Sequence, residues 1–285
     1  MSTGILARQN ENKSIAMLAA QRQLYRDVKR ISTLSIALSV WVPFALAVIL
    51  LFVTTDSVWQ YASYAVAIGS MIFSFIVDRW IDEKKKLAAF IQQKFDIYVY
   101  AMPWDNRLFG QNRNVNHEIV TNSKKILGNQ KEADLLYNWY TLAIDNKALF
   151  EGILLCQREN FWWDVGLRKR FRSISIIMIV VLSIIVLSIG LIKNESSVQL
   201  LWRFAFIVPM LEWLLDTVKQ LNKDIALLYD LDSAINGDST KTMDDLQDIQ
   251  RMIFEHRKGC YPIPECVYKR FKDNDEDKAY REACM

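Results

Sequence analysis

No charged residue occurs between Arg30 and Asp56, and this gap constrains the fold more than any other feature of the chain. A helix needs roughly 20 apolar residues to cross the hydrocarbon core of a bilayer. The run from Ile31 to Val53 supplies them. After the short loop Thr54-Thr55-Asp56-Ser57, a second uncharged run extends from Val58 to Val77 and stops at Asp78-Arg79, as the returning half of a hairpin would. The third run, Ile174 to Ile192, is dominated by Ile, Val and Leu and is far longer than a typical strand. The fourth, Leu200 to about Val218, carries Arg203, Pro209, Glu212 and Asp216, yet it is the element able to return the chain.

Orientation follows from the basic residues near the span ends, which are retained on the cytoplasmic side. One side collects Arg22, Arg26, Lys29 and Arg30, then Arg79 and Lys84 to Lys86, then Arg168, Lys169, Arg170 and Arg172, then Lys219 and Lys223; the loops of the other side hold only Lys193. Both termini are therefore expected inside. The first thirty residues mix apolar positions with Arg8, Glu11, Lys13, Arg22 and Arg26, which is not a signal-peptide pattern. All four cysteines, Cys156, Cys260, Cys266 and Cys284, fall on the cytoplasmic side, so no disulfide framework is expected. An Asn194-Glu195-Ser196 sequon lies outside.

The composition agrees with a chain of two populations. Hydrophobic residues reach 52% while charged residues hold 24%, and the formal charge is only +3, which gives no reason to expect a nucleic-acid partner. Scarce glycine and proline and helical periodicity between the spans predict an all-α, four-transmembrane-helix protein of two hairpins with a helical cytoplasmic domain. The expected divisions are a cytoplasmic amphipathic helix (1–30), a first transmembrane hairpin (31–77), a cytoplasmic helical region (78–172), a second hairpin (173–218) and a cytoplasmic C-terminal helical region with a frayed tail from Lys272 (219–285).

Within these regions, Ser14 to Arg30 places Ile15, Leu18, Tyr25 and Val28 on one side, to lie on the membrane or to pack on other helices. The second span continues as a helix to Tyr100, with Leu87, Phe90, Ile91, Phe95 and Tyr98 at helical spacing, before Pro103. Further helices are expected over Asn116 to Leu127, over Lys131 to Ile144 with a stripe of Leu135, Leu136, Trp139 and Leu142, and from Lys147 into Arg172. Leu221 to Leu231 and Met243 to Phe254 read as two more, around an Asn236-Gly237-Asp238 turn.

The chemistry-bearing motifs are few. No phosphate-cradling glycine loop, nucleophile elbow or paired-histidine metal motif is present, and the two histidines are His117 and His256. An enzyme, a cofactor and a metal are thus not expected: His256 with Cys260 and Cys266 fits no standard zinc spacing, and Asp230-x-Asp232 reads as solvated acids. The fourth span is the anomaly. Glu212 and Asp216 share one helix face, Arg203 lies nearer the outer end, and ionisable residues in a span usually face a partner or a water path. One such helix per subunit of a homo-oligomer would line a pore with Arg203, Glu212 and Asp216; equally, a span ending near Trp213 would put both acids at the interface, with Arg203 snorkelling outward. Small residues recur at Ser32, Ser35 and Ser39 and at Ser63, Ala67, Ser70 and Ser74, a pattern of close helix packing or of a water path. Mixed aromatic, basic and amide clusters nominate Trp104, Arg107, Arg158, Asn160 and Arg257 as ligand-binding candidates able to stack a base and hold a phosphate. Trp162 and Trp163, about ten residues before the third span, suit interfacial anchors equally.

Several of these stretches occur in one order with the four spans: Arg8-Gln9-Asn10 and Leu18-Ala19-Ala20-Gln21-Arg22; Phe95-Asp96 before Met102-Pro103-Trp104; Cys156-Gln157-Arg158-Glu159-Asn160 with Trp163-Asp164 and Leu167-Arg168; and Arg257 with Pro264 and Tyr268. In this the chain resembles the SMODS-associated four-transmembrane effector family of bacterial anti-phage systems. The resemblance implies a pore-forming effector of the bacterial inner membrane, encoded beside a nucleotidyltransferase whose cyclic nucleotide messenger triggers it during abortive infection. The lipid bilayer, the messenger and further copies of the chain would be its partners. A non-conducting membrane receptor and a membrane-embedded enzyme are the alternatives.

Overall fold

Nine glycines and five prolines in 285 residues leave long stretches with nothing to stop a helix once begun. In the computed structural model, which describes residues 4–50, 57–194, 196–237, 240–265, 267–268 and 270, every regular element among those residues is helical. The short α1 (Ile5–Gln9) precedes α2 (Asn12–Ile36), which runs through a π-helical turn at Ala37–Trp41 into α3 (Val42–Leu50). Pro43 explains the turn: its nitrogen cannot donate and its ring crowds the carbonyl four residues back, so the helix widens just ahead of it.

Three long helices carry the remaining apolar runs. The second run opens α4 (Ser57–Tyr100), the third closes α8 (Leu149–Ile192), and the fourth opens α9 (Ser197–Asn236). Each continues without a break into its amphipathic half, through residues 77–78, 172–173 and 218–219, and α2 does the same at 30–31. Pro209 does not interrupt α9. Among the described residues two stretches, Asn12–Leu46 and Leu149–Ile192, have the length and apolar composition to cross a membrane. Their large side chains are bare at the surface, as at Leu34, Trp41, Ile177, Val180 and Ile184, and α4 adds Ile68, Ile72 and Phe75. An apolar surface of this extent suits lipid. Inside the apolar end, Val40, Met210 and Leu214 pack with Phe44, Met178 and Leu182, joining the first, third and fourth long helices.

The other end is a helical bundle with a conventional core. Leu18 and Leu24 of α2, Ile91 and Phe95 of α4, Ile153 and Cys156 of α8, and Leu246 and Phe254 of α10 (Met243–Gly259) form its centre. Ile15, Leu18 and the largely covered Tyr25 face this core and Val28 is buried, so the amphipathic N-terminal helix packs on its neighbours. At its far end α4 stops in a Schellman turn: Met102 N–H reaches Ile97 O at 3.0 Å and Ala101 N–H reaches Tyr98 O at 3.2 Å, with Ala101 at φ 53°. Two small helices, α5 (Asn106–Phe109) and α6 (Asn116–Leu127), cover the side of the bundle.

The expected helix over Lys131 to Ile144 does not form. Only α7 (Gln130–Asp134) and a 3-10 turn at Leu142–Asn146 occur there, and of the apolar stripe Leu136 is buried while Leu135 and Leu142 are 61% and 68% exposed. The reason lies at the N-terminus. Gln9 Oε1 accepts Tyr140 N–H at 2.8 Å and Asn10 Oδ1 accepts Asn138 N–H at 2.9 Å, which takes the donors that a helix would use. Asn138 adopts φ 52°, a left-handed conformation that asparagine tolerates. Leu221 to Leu231 is part of α9, not a separate helix. Cys266, Cys284, the loop from Thr54 to Asp56, the centre of the sequon, Asp238 of the expected turn and the tail from Lys272 lie outside the described residues.

Candidate functional site

The long helices are tied together by two buried polar clusters, both reached from α10. Gln93 and Asp96, three apart on α4, face Gln250 and Arg257, seven apart on α10. Asp96 is fully buried and accepts hydrogen bonds from Arg257 Nη1, from Gln250 Nε2 at 2.9 Å and from Tyr140 Oη at 2.8 Å. Gln250 also donates to Gln93 at 2.9 Å, and Gln157 of α8 donates to Gln250 Oε1 at 3.1 Å. The Tyr140 hydroxyl sits 2.8 Å from that of Tyr100 and accepts from Asn160 at 3.1 Å. Burial would depress the Arg257 guanidinium, but the Asp96 carboxylate beside it holds it above its ordinary value. Burial raises the Tyr100, Tyr140 and Tyr25 phenols, which stay protonated.

The second cluster belongs to His256, the residue before Arg257. Its Nε2 lies 2.7 Å from Asp164 Oδ2 on α8. Arg168, one turn along, donates Nε to the same oxygen at 2.9 Å, and Nη1 to Asp224 of α9 and to Tyr261 O at 3.2 Å. Tyr261 N–H closes the ring on Asp224 at 2.9 Å. Burial would raise the Asp164 carboxyl; Arg168 and the hydrogen bond from His256 override it and hold it well below the usual carboxylate range. Nε2 of His256 is therefore the donor. Burial also raises the Cys260 thiol, which donates to Arg257 O at 3.7 Å.

The consequence is mechanical. Consecutive side chains of α10 grip α4 through Arg257 and α8 through His256, and Arg168 extends the second grip to α9. Three of the four helices that continue into the apolar runs, α4, α8 and α9, are thus clamped by buried charge pairs, and breaking such a pair costs about 3–5 kcal/mol.

On α9 the buried stripe is Ile207, Met210, Leu214, Thr217 and Leu221, which leaves Glu212 and Asp216 exposed on the opposite face. Arg203 lies on the same helix, near its N-terminal end. Below Asp216 a cleft of about 510 Å³ opens between α9 and the last turn of α10, walled by Asp216, Lys219, Lys223, Asp224, Glu255 and His256.

Of the five ligand-binding candidates, the structure brings Asn160 and Arg257 together through Tyr140 and Asp96. The others stand apart. Trp104 packs edge-on against Phe90 and Phe109 and donates Nε1 to Gly110 O at 2.9 Å; Arg107 is exposed in α5; Arg158 donates to Asn236 at 2.7 Å on another face. Sequence reasoning did not nominate Asp96, Tyr140, Asp164, Arg168 or Gln250 as site residues. The available signal was an acid beside an apolar position in a buried helix, in Phe95-Asp96 and Trp163-Asp164.

Comparison with known proteins matches residues 3–284 to a family described as the SMODS-associating 4TM effector domain. A protein of Bacillus cereus (strain VD146), described as a probable CBASS effector molecule, is 25% identical over 292 residues, which span 96% of this chain and 95% of that protein. No solved structure matches the chain.

Proposed function

Since the chain belongs to the SMODS-associating 4TM effector family, we propose that it is an anti-phage effector that opens the bacterial inner membrane when a cyclic nucleotide signal arrives. The observation that carries this reading is the combination of bare apolar runs with a polar bundle on the same unbroken helices. In this reading four helices cross the bilayer as two hairpins, with both termini and the bundle inside. A signal received by the bundle reaches the membrane along α4, α8 and α9 without passing a flexible joint.

Glu212 and Asp216 supply the conducting surface. They are exposed on α9, and a ring of such helices from several copies would place acidic groups around a water path, with Arg203 toward its outer end. The clamp of α10 on the three helices holds the closed arrangement. The test is the purified chain in liposomes loaded with dye, challenged with a panel of cyclic nucleotides. Release with one member of the panel is expected; no release at any protein density with any member overturns the reading.

A further inference from the structure

The cleft between α9 and α10 joins three features that the fold alone does not require. Its α9 wall continues the face of the acidic pair: Glu212, Asp216, Lys219 and Lys223 follow at intervals of four, three and four residues, one stripe of the helix. Lys219 and Lys223 are exposed and make no ion pair or hydrogen bond among the described residues. The neighbouring acids differ. Asp224 is taken by Arg168 and Tyr261 N–H, and Glu255 by Lys258 at 2.7 Å, so the cationic pair is left uncompensated apart from Asp216. From the α10 side His256 lines the cleft; it is 8% exposed and its ring is fixed through Nε2 to Asp164.

We propose that this cleft is a phosphodiester-binding site in which Lys219 and Lys223 hold phosphate oxygens beside His256. About 510 Å³ is in the range of small-molecule pockets. Lysines one turn apart match an extended anion better than a point charge, and charge-assisted bonds to phosphate are among the stronger polar contacts. The site begins one residue beyond the fourth apolar run, so its phosphodiester could come from a soluble cyclic nucleotide or from a lipid headgroup. Occupancy would bridge α9 to α10, on the face that also carries Asp216. The assignment deepens the effector reading and rests on it only for what binding does.

The experiment uses the full chain in detergent, wild type and Lys219→Ala/Lys223→Ala, both substitutions lying on exposed positions. Binding of fluorescent cyclic dinucleotides and trinucleotides forms one arm, and retention by vesicles with and without phosphatidylglycerol the other. Thermal unfolding checks that the variant folds. Wild-type binding in either arm, weakened about tenfold or more in the variant, supports the site and names its source. No binding in either arm, or equal binding by both proteins, overturns it. Dye release is read separately: release triggered equally in both proteins sinks the site and spares the effector reading, whereas lysine-dependent binding without release does the reverse.

Discussion

Replacing Asp96 with asparagine tests the clamp with almost no change of shape. Asp96 is 0% exposed and Arg257, its partner, is 10% exposed at the side chain. The substitution removes a buried negative charge and leaves the guanidinium, whose Nη2 already lacks a partner, without a counterion. Hydrogen bonds from Gln250 and Tyr140 weaken at the same time. Breaking one side of a buried ion pair costs about 3–5 kcal/mol, which for a domain of this size lowers the unfolding midpoint by roughly 10 °C. The assay is thermal unfolding of detergent-solubilised protein followed by circular dichroism, with the exposed Asp244→Asn as control. Adding Arg257→Met to Asp96→Asn should return much of the loss, because the stranded charge goes with it. A midpoint within about 2 °C of wild type for Asp96→Asn, or a double variant less stable than the single one, would refute the reasoning.

Ala101→Gly should stabilise by about 0.5–1 kcal/mol, since Ala101 sits at φ 53° where glycine has no steric cost; an unchanged or lower denaturation midpoint contradicts this. Burial pushes the Glu159 carboxyl up to about 7 from a usual 4.5. The folded state therefore holds the proton more tightly than the unfolded chain. The associated stability is full below about pH 4.5 and is lost as pH rises through about 7. Glu159→Gln should flatten that decline, raising stability near pH 8 by about 1–2 kcal/mol after allowance for partial exposure, as read from unfolding midpoints across pH. Reversing charge with Glu212→Lys and Asp216→Lys should abolish or invert the cation preference of messenger-triggered conductance in liposomes. Unaltered ion selectivity would instead remove Glu212 and Asp216 from the conducting surface.

The long helices were legible because charge gaps and scarce helix breakers are local signals. Ile31 to Val53 and Ile174 to Ile192 need no partner to be read. Their unbroken extension beyond the apolar runs was only partly visible, since amphipathic segments such as Leu221 to Leu231 look like separate helices when the connecting residues are mixed. The segment after Lys131 misled for a physical reason: its stripe has helical spacing, but its backbone donors are captured by Gln9 and Asn10, more than a hundred residues away. The clamp was hidden by the same kind of distance. Asp96 and Arg257 lie 161 positions apart, and only the register of α4 against α10 turns two ordinary charges into a buried pair. Asn160 and Arg257 were found as polar residues in aromatic surroundings, while their connection through Tyr140 was not.

The proposed function requires four helices to cross the bilayer with the polar bundle inside. Thiol labelling in cells measures this directly, using single cysteines at Thr55, Asn194, Gln130 and Asp244 in a chain whose four native cysteines are replaced by serine. A membrane-impermeant maleimide should label Thr55→Cys and Asn194→Cys in cells with a permeabilised outer envelope and an intact inner membrane, and Gln130→Cys and Asp244→Cys only after lysis. Labelling of Gln130→Cys or Asp244→Cys before lysis, or protection of Thr55→Cys and Asn194→Cys, would contradict the account.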